Sequence, residues 1–173
     1  IERRELTLQP GARYRYRFEI SPPAGTPPRE CRFAIMVEGM EAARVEGAVS
    51  FPVGGRIGVI VYAAIGDVAP ALAVAGTETL SVNGQPTAVV KVRNDGSATG
   101  RLEGFLDATD ASGQRAEMSP VDLPILPGET RRIALAAVAA DNKAAPTLRF
   151  PIRVKGQLES GKTKLPLDAS FAP

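Results

Sequence analysis

Glycine and proline interrupt this sequence at short intervals, 17 and 15 times in 173 residues, and no long stretch carries the 3.6-residue apolar spacing of an amphipathic helix. A chain divided that finely builds a core only from many short strands joined by turns, so we expect an all-β protein. Arg13–Ile20, RYRYRFEI, places Tyr14, Tyr16, Phe18 and Ile20 on one side and Arg13, Arg15, Arg17 and Glu19 on the other. Strict period two of that kind predicts a half-buried strand. Glu5–Leu8 reads as a short strand before the turn Gln9-Pro10-Gly11. The proline-rich stretch Ser21–Pro28 cannot join a ladder and reads as a loop, and Cys31–Glu38 reads as the next strand.

The stretch Gly55–Asp67, GRIGVIVYAAIGD, is of another kind. From Ile57 to Ile65 its only polar side-chain group is the hydroxyl of Tyr62. A strand with one wet face alternates, and this one does not, so both of its faces call for cover. Ile57, Val59, Val61 and Ala63 fall on one face, Ile60 and Tyr62 on the other.

Beyond Asp67 the turn signals return at intervals of about 8–12 residues, the spacing of a β-sandwich. Leu72–Val82 and Pro86–Arg93 flank Asn83-Gly84, a strong hairpin signal because both residues tolerate positive φ. Asn94-Asp95-Gly96 is a second turn. Ala98–Thr109 reads as one long strand turning at Asp110–Gly113. Ser119–Pro127, with three prolines, reads as an edge or a crossing loop. Ile133–Ala140 suits strand or helix by propensity; the strand is the expectation. Thr147–Lys155 and Lys162–Phe171 close the chain as a pair around Gly156–Gly161. The expected organisation is thus two immunoglobulin-like β-sandwich domains. Residues 68–173 hold the six or seven strands such a domain needs, whereas residues 1–67 hold four and make an incomplete one.

Composition removes several functions. Basic and acidic residues number 21 and 19, a balance that argues against nucleic acid or an anionic membrane surface as partner. No apolar run reaches the roughly 18 residues of a membrane-spanning helix. The first residue is Ile1, with no charged and apolar leader behind it, so a signal peptide is expected to have been removed or left out. Histidine is absent, which removes Ser-His-Asp and Cys-His nucleophile systems and His-bearing zinc sites. Cys31 is alone and reads as a buried strand thiol.

Four short patterns resemble chemistry and have simpler explanations. Asp107, Asp110, Ser112 and Gly113 gather oxygen ligands, but their spacing misses the calcium-loop pattern and fits a hairpin turn. RYRYR interleaves aromatic and basic residues, yet alternation sends them to opposite faces, where they cannot grip one strand of nucleic acid. Gly54-Gly55-Arg56-Ile57-Gly58 matches neither phosphate-binding glycine motif. The carboxylate pairs Glu38/Glu41 and Glu117/Asp122 have no companion feature of a cleft. We therefore expect no enzyme, no cofactor and no metal.

In order along the chain stand an L-x-P-G turn opening an alternating strand (Leu8–Ile20), an Arg-led strand ending in V-E (Arg32–Glu38), GRIGVIVY, a short linker, and a second sandwich containing LPILPGETRRI (Leu123–Ile133). This series resembles the PapD-like periplasmic chaperones of pilus assembly and their relatives. The resemblance implies a periplasmic or secreted, non-enzymatic protein whose client is a pilin-like or other β-rich subunit. It implies that the final strand of the first domain offers Ile57, Val59, Val61 and Ala63 to that client by β-strand addition. It also implies a basic residue on that strand for the client's terminal carboxylate, and Arg56 is the candidate anchor. The family pattern expects further strands before Ile1. Their lack would open the first domain to strand exchange or dimerisation. The competing expectation is a tandem immunoglobulin-like fragment of a larger secreted or surface protein, in which Gly55–Asp67 is a core strand. A sugar-binding accessory domain is disfavoured by the scarcity of aromatic residues.

Overall fold

The computed structural model describes residues 5–9, 11–39, 55–139 and 144–173, and within them the protein is all-β. Nine strands run in chain order: β1 (Arg29–Glu38), β2 (Arg56–Ile65), β3 (Leu72–Val82), β4 (Gln85–Asn94), β5 (Leu106–Asp110), β6 (Arg115–Pro120), β7 (Thr130–Ala137), β8 (Ile152–Ser160) and β9 (Thr163–Phe171). They form two antiparallel sheets, a two-stranded ribbon β1-β2 and a seven-stranded sheet in the order β3-β4-β7-β6-β5-β8-β9.

The larger sheet folds over on itself through β7. The first half of β7 pairs with β4, from Thr130 opposite Arg93 to Ala134 opposite Val89. Its last three residues pair instead with β6, Leu135 opposite Pro120 and Ala137 opposite Met118. A strand that changes neighbours midway makes a corner between two sheet layers. The end strands β3 and β9 then meet across the interior. Val90, Ile133, Ile125, Val154, Leu158 and Phe171 are sealed between the layers at 1% exposure or less. The arrangement is compatible with a β-sandwich.

Turn chemistry decides where the strands end. Asn83 and Gly84 take φ of 51° and 76°, the mirror-image turn that matches the twist of β3 and β4. Asn94, wholly buried, pins the loops at one end of the sandwich. Its Nδ2 donates to the carbonyls of Ala98 and Ile125, both at 2.8 Å. Its Oδ1 accepts from the amides of Ala71 at 3.1 Å and Gly96 at 3.0 Å. What the sequence presents as one more turn residue is the polar centre of that end.

Several expectations are corrected. Ala98–Thr109 is not one strand: before β5 starts at Leu106, its ladder pairing among the described residues is limited to the isolated bridges Gly100–Ile125 and Glu103–Glu159. Gly104 interrupts it with φ of 114°, where an added Cβ would stand 2.9 Å from the Gln157 carbonyl oxygen. The last hairpin turns at Gly161-Lys162, and Gly156 lies inside β8. β6 begins at Arg115, ahead of the proline-rich stretch expected as edge or loop. Glu5–Leu8 and Arg13–Ile20 are not strands. Alternation prepares a segment for a ladder, but no described strand pairs with either one, and Tyr14, Tyr16, Phe18 and Ile20 stay exposed. Of the four strands expected in residues 1–67, the described residues contain two.

Candidate functional site

β1 and β2 pair without a bulge over ten residues, from Arg29 opposite Ile65 to Glu38 opposite Arg56. Directly opposed residues of an antiparallel pair point to the same side. The register therefore adds Cys31, Phe33, Ile35 and Val37 to Ala63, Val61, Val59 and Ile57 in one face that is apolar from there to the tip, with Arg29 opposite Ile65 at its base. The reverse face carries Glu30, Arg32, Glu38 and Arg56 among Ala34, Met36, Ile60 and Tyr62. Sequence reasoning found the β2 half of the apolar face. It did not join the β1 half to it, although the alternation of Phe33, Ile35 and Val37 was available as a signal.

Cover differs along the ribbon. Cys31, Phe33, Ile35, Val61 and Ala63 are half-buried, whereas Val37, Ile57 and Val59 are 54%, 66% and 50% exposed. On the reverse face Met36 and Ile60 are also exposed, and Met36 lies over Gly58, where an added Cβ would meet its sulfur at 3.3 Å. Among the described residues neither ribbon strand has a second neighbour, so both long edges present unpaired backbone groups. An exposed apolar strand with a free edge is a template for another strand.

Arg56, the candidate carboxylate anchor, stands at the tip with its Nε 3.1 Å from Glu38 Oε1, both side chains mostly in solvent. Two of its guanidinium nitrogens remain outside that contact, so the ion pair orients the group without using up its donors. At the other end Glu30 ties the ribbon to the sandwich. One of its carboxylate oxygens accepts the Thr99 amide at 2.8 Å and the other accepts the Thr99 hydroxyl.

The remaining candidates resolve into structure. Asp110 Oδ1 accepts from the Ser112 amide, the Ser112 hydroxyl and the Gln114 amide at 2.7–2.9 Å, and Oδ2 accepts from the Arg149 amide at 3.0 Å. The Arg149 amide first, then the Ser112 hydroxyl and the two hairpin amides, lower its pKa to about 2. Its lone pairs are used in holding a hairpin. Among the described residues no cluster of three or more Asp, Glu and Cys could hold a metal ion.

A shallow open depression on β6, β5 and β8 is lined by Asp107, Arg115, Glu117, Arg153 and Lys155. Arg153 there bonds Asp168 at 3.1 and 3.2 Å, which holds the Asp168 carboxyl below its usual range. Cys31 is half-buried and lies on the apolar face of the ribbon. Glu41 of the Glu38/Glu41 pair and residues 140–143 of the Ala-rich stretch lie outside the described residues.

Comparison with family models, curated proteins and solved structures finds no match to this chain. Among the described residues no helix is long and apolar enough to cross a membrane.

Proposed function

We propose that the chain is a protein-binding module, a chaperone-like assembly protein of the periplasm or cell exterior. Its ribbon takes part in the unfinished sheet of a β-rich client, pilin-like or otherwise. The observation that carries this reading is the apolar face of the ribbon, exposed toward its tip and bordered by strand edges that no other described strand covers. Strand addition supplies both things the ribbon lacks, backbone partners for an edge and apolar cover for a face. In this reading Ile57, Val59, Val61 and Ala63 enter the client's core, with Ile57 and Val59 the most available. Arg56 meets a carboxylate where the client strand ends. No catalytic step and no cofactor is involved.

The test is calorimetric titration of the protein with an immunoglobulin-like subunit lacking one edge strand. Binding is expected, with at least about tenfold weakening for Val59→Asp, because a carboxylate placed in an apolar interface costs well over 1.4 kcal/mol. Arg56→Ala should weaken a client with a free C-terminus more than one whose C-terminus is amidated. Equal binding by Val59→Asp and the unaltered protein, or no binding at all, would reject the reading.

A further inference from the structure

Arg13–Ile20 and the outer edge of β1 are two exposed halves that fit one another. The segment keeps strict alternation yet belongs to no sheet, and β1 pairs only with β2 among the described residues. Between them the chain reverses at Pro23–Thr26, where the Thr26 amide and hydroxyl bond the Pro23 carbonyl at 3.1 and 2.6 Å.

Laid antiparallel with Ile20 opposite Cys31, the two strands match apolar with apolar on one face and form two opposite-charge pairs on the other, where Arg15 and Arg17 fall opposite Met36 and Ala34. Phe18 falls opposite Phe33, Tyr16 opposite Ile35 and Tyr14 opposite Val37, which widens the apolar face by one strand. On the reverse face Glu19 falls opposite Arg32 and Arg13 opposite Glu38. Neighbouring registers are worse. A slip of two residues one way sets Arg17 against Arg32 and Glu19 against Glu30. Two residues the other way leave only Arg15 against Glu38. A slip of one residue turns the aromatic side chains onto the charged face.

We propose that Arg13–Ile20 is a strap that closes on β1 of its own chain in this register, as the third strand of the ribbon. Two-stranded ribbons are marginal in water, and a third strand with an apolar face is what gives such a sheet standing of its own. Closure also covers the β1 edge and leaves the β2 edge open. The inference rests on the outer edge of β1 and does not require that a client exist.

The lone native cysteine supplies the test. In this register Ile20→Cys faces Cys31 at a distance a disulfide can bridge, whereas Arg17→Cys lies opposite Ala34 on the other face. Mild oxidation of the full chain should give an intramolecular disulfide for Ile20→Cys and none for Arg17→Cys, identified by peptide mass mapping of the monomer. Adding Arg13→Glu to Ile20→Cys should slow closure by about two- to fivefold, the weight of one cross-strand charge pair. Adding Glu38→Arg as well should restore it, which separates a pairing effect from misfolding. A covalent dimer linked through residues 20 and 31 would overturn the proposal in favour of exchange between two copies. No link, or the same link from Arg17→Cys, would overturn the strap itself.

Discussion

β2 and β4 are both ten residues long and both carry a run of β-branched residues, Ile57–Val61 with one glycine in β2 and Val89, Val90 and Val92 in β4, yet they end in opposite surroundings. Val89, Val90 and Val92 of β4 are at 3% exposure or less, while Ile57, Val59 and Ile60 of β2 are at 50% or more. Apolar character does not account for the difference, since β2 is the more apolar of the two. β4 has β3 on one side and β7 on the other, with the second layer of the sandwich across its inner face. β2 has β1 alone. Hydrophobicity states what a strand needs, and only its neighbours decide whether it obtains it.

The contrast can be broken first in the sandwich. Replacing Asn94 with Ala leaves two amides and two carbonyls without their partner, and should cost at least about 3 kcal/mol in urea denaturation. Ile133→Ala, at a site with no exposure, should cost about 2–5 kcal/mol. If either change is silent, the sandwich is not the stable half of the molecule.

Acid provides a graded version. The Asp110 pKa falls from its ordinary 3.8 to about 2 on folding, so its contribution is fully present above about pH 5. It is lost as pH falls toward 2, because protonation then removes an acceptor from its four donors. Asp110→Asn should lower the melting temperature at neutral pH and flatten its decline between pH 5 and 2. An unchanged acid branch would show that Asp110 does not set it.

A smaller effect is expected where the two regions touch. Thr99→Val removes the hydroxyl donor to Glu30, and about 1 kcal/mol should be lost. The loss should be read as faster amide exchange along β1 with little change in β4. The smallest effect should come from Ile57→Asp at the ribbon tip. Its stability should stay within about 0.5 kcal/mol of the parent, as for other exposed positions, even where client binding is abolished. A large loss there would mean that the tip is covered, and would remove the distinction between the strands.

Much of this was legible from residues alone. Asn83-Gly84 gave its hairpin, and the apolar run gave β2 nearly to the residue. The all-β class followed from the glycine and proline spacing. Other features depend on groups distant in sequence. β6, RAEMSP, has no β-branched residue and buries little beyond Met118, so it was not recognised as a strand. The four bonds of Asn94 reach residues from Ala71 to Ile125. Arg13–Ile20 shows the opposite error, a flawless strand pattern with no strand, because periodicity describes one face and cannot supply a neighbour. At the candidate site the β2 residues were read correctly as to face. The contribution of Cys31, Phe33, Ile35 and Val37 needed the register, which no local signal specifies.

The carboxylate of Glu30 on Thr99 has a mechanical consequence. It holds the ribbon near its base, and the strand runs on from there to Glu38, roughly 27 Å at about 3.4 Å per residue. A rotation of about 10° at that anchorage would carry the tip through about 5 Å, the spacing between neighbouring strands. A contact at the base thus bears on the swing of a long lever, and with it on the volume of solution that Ile57 and Val59 can sweep.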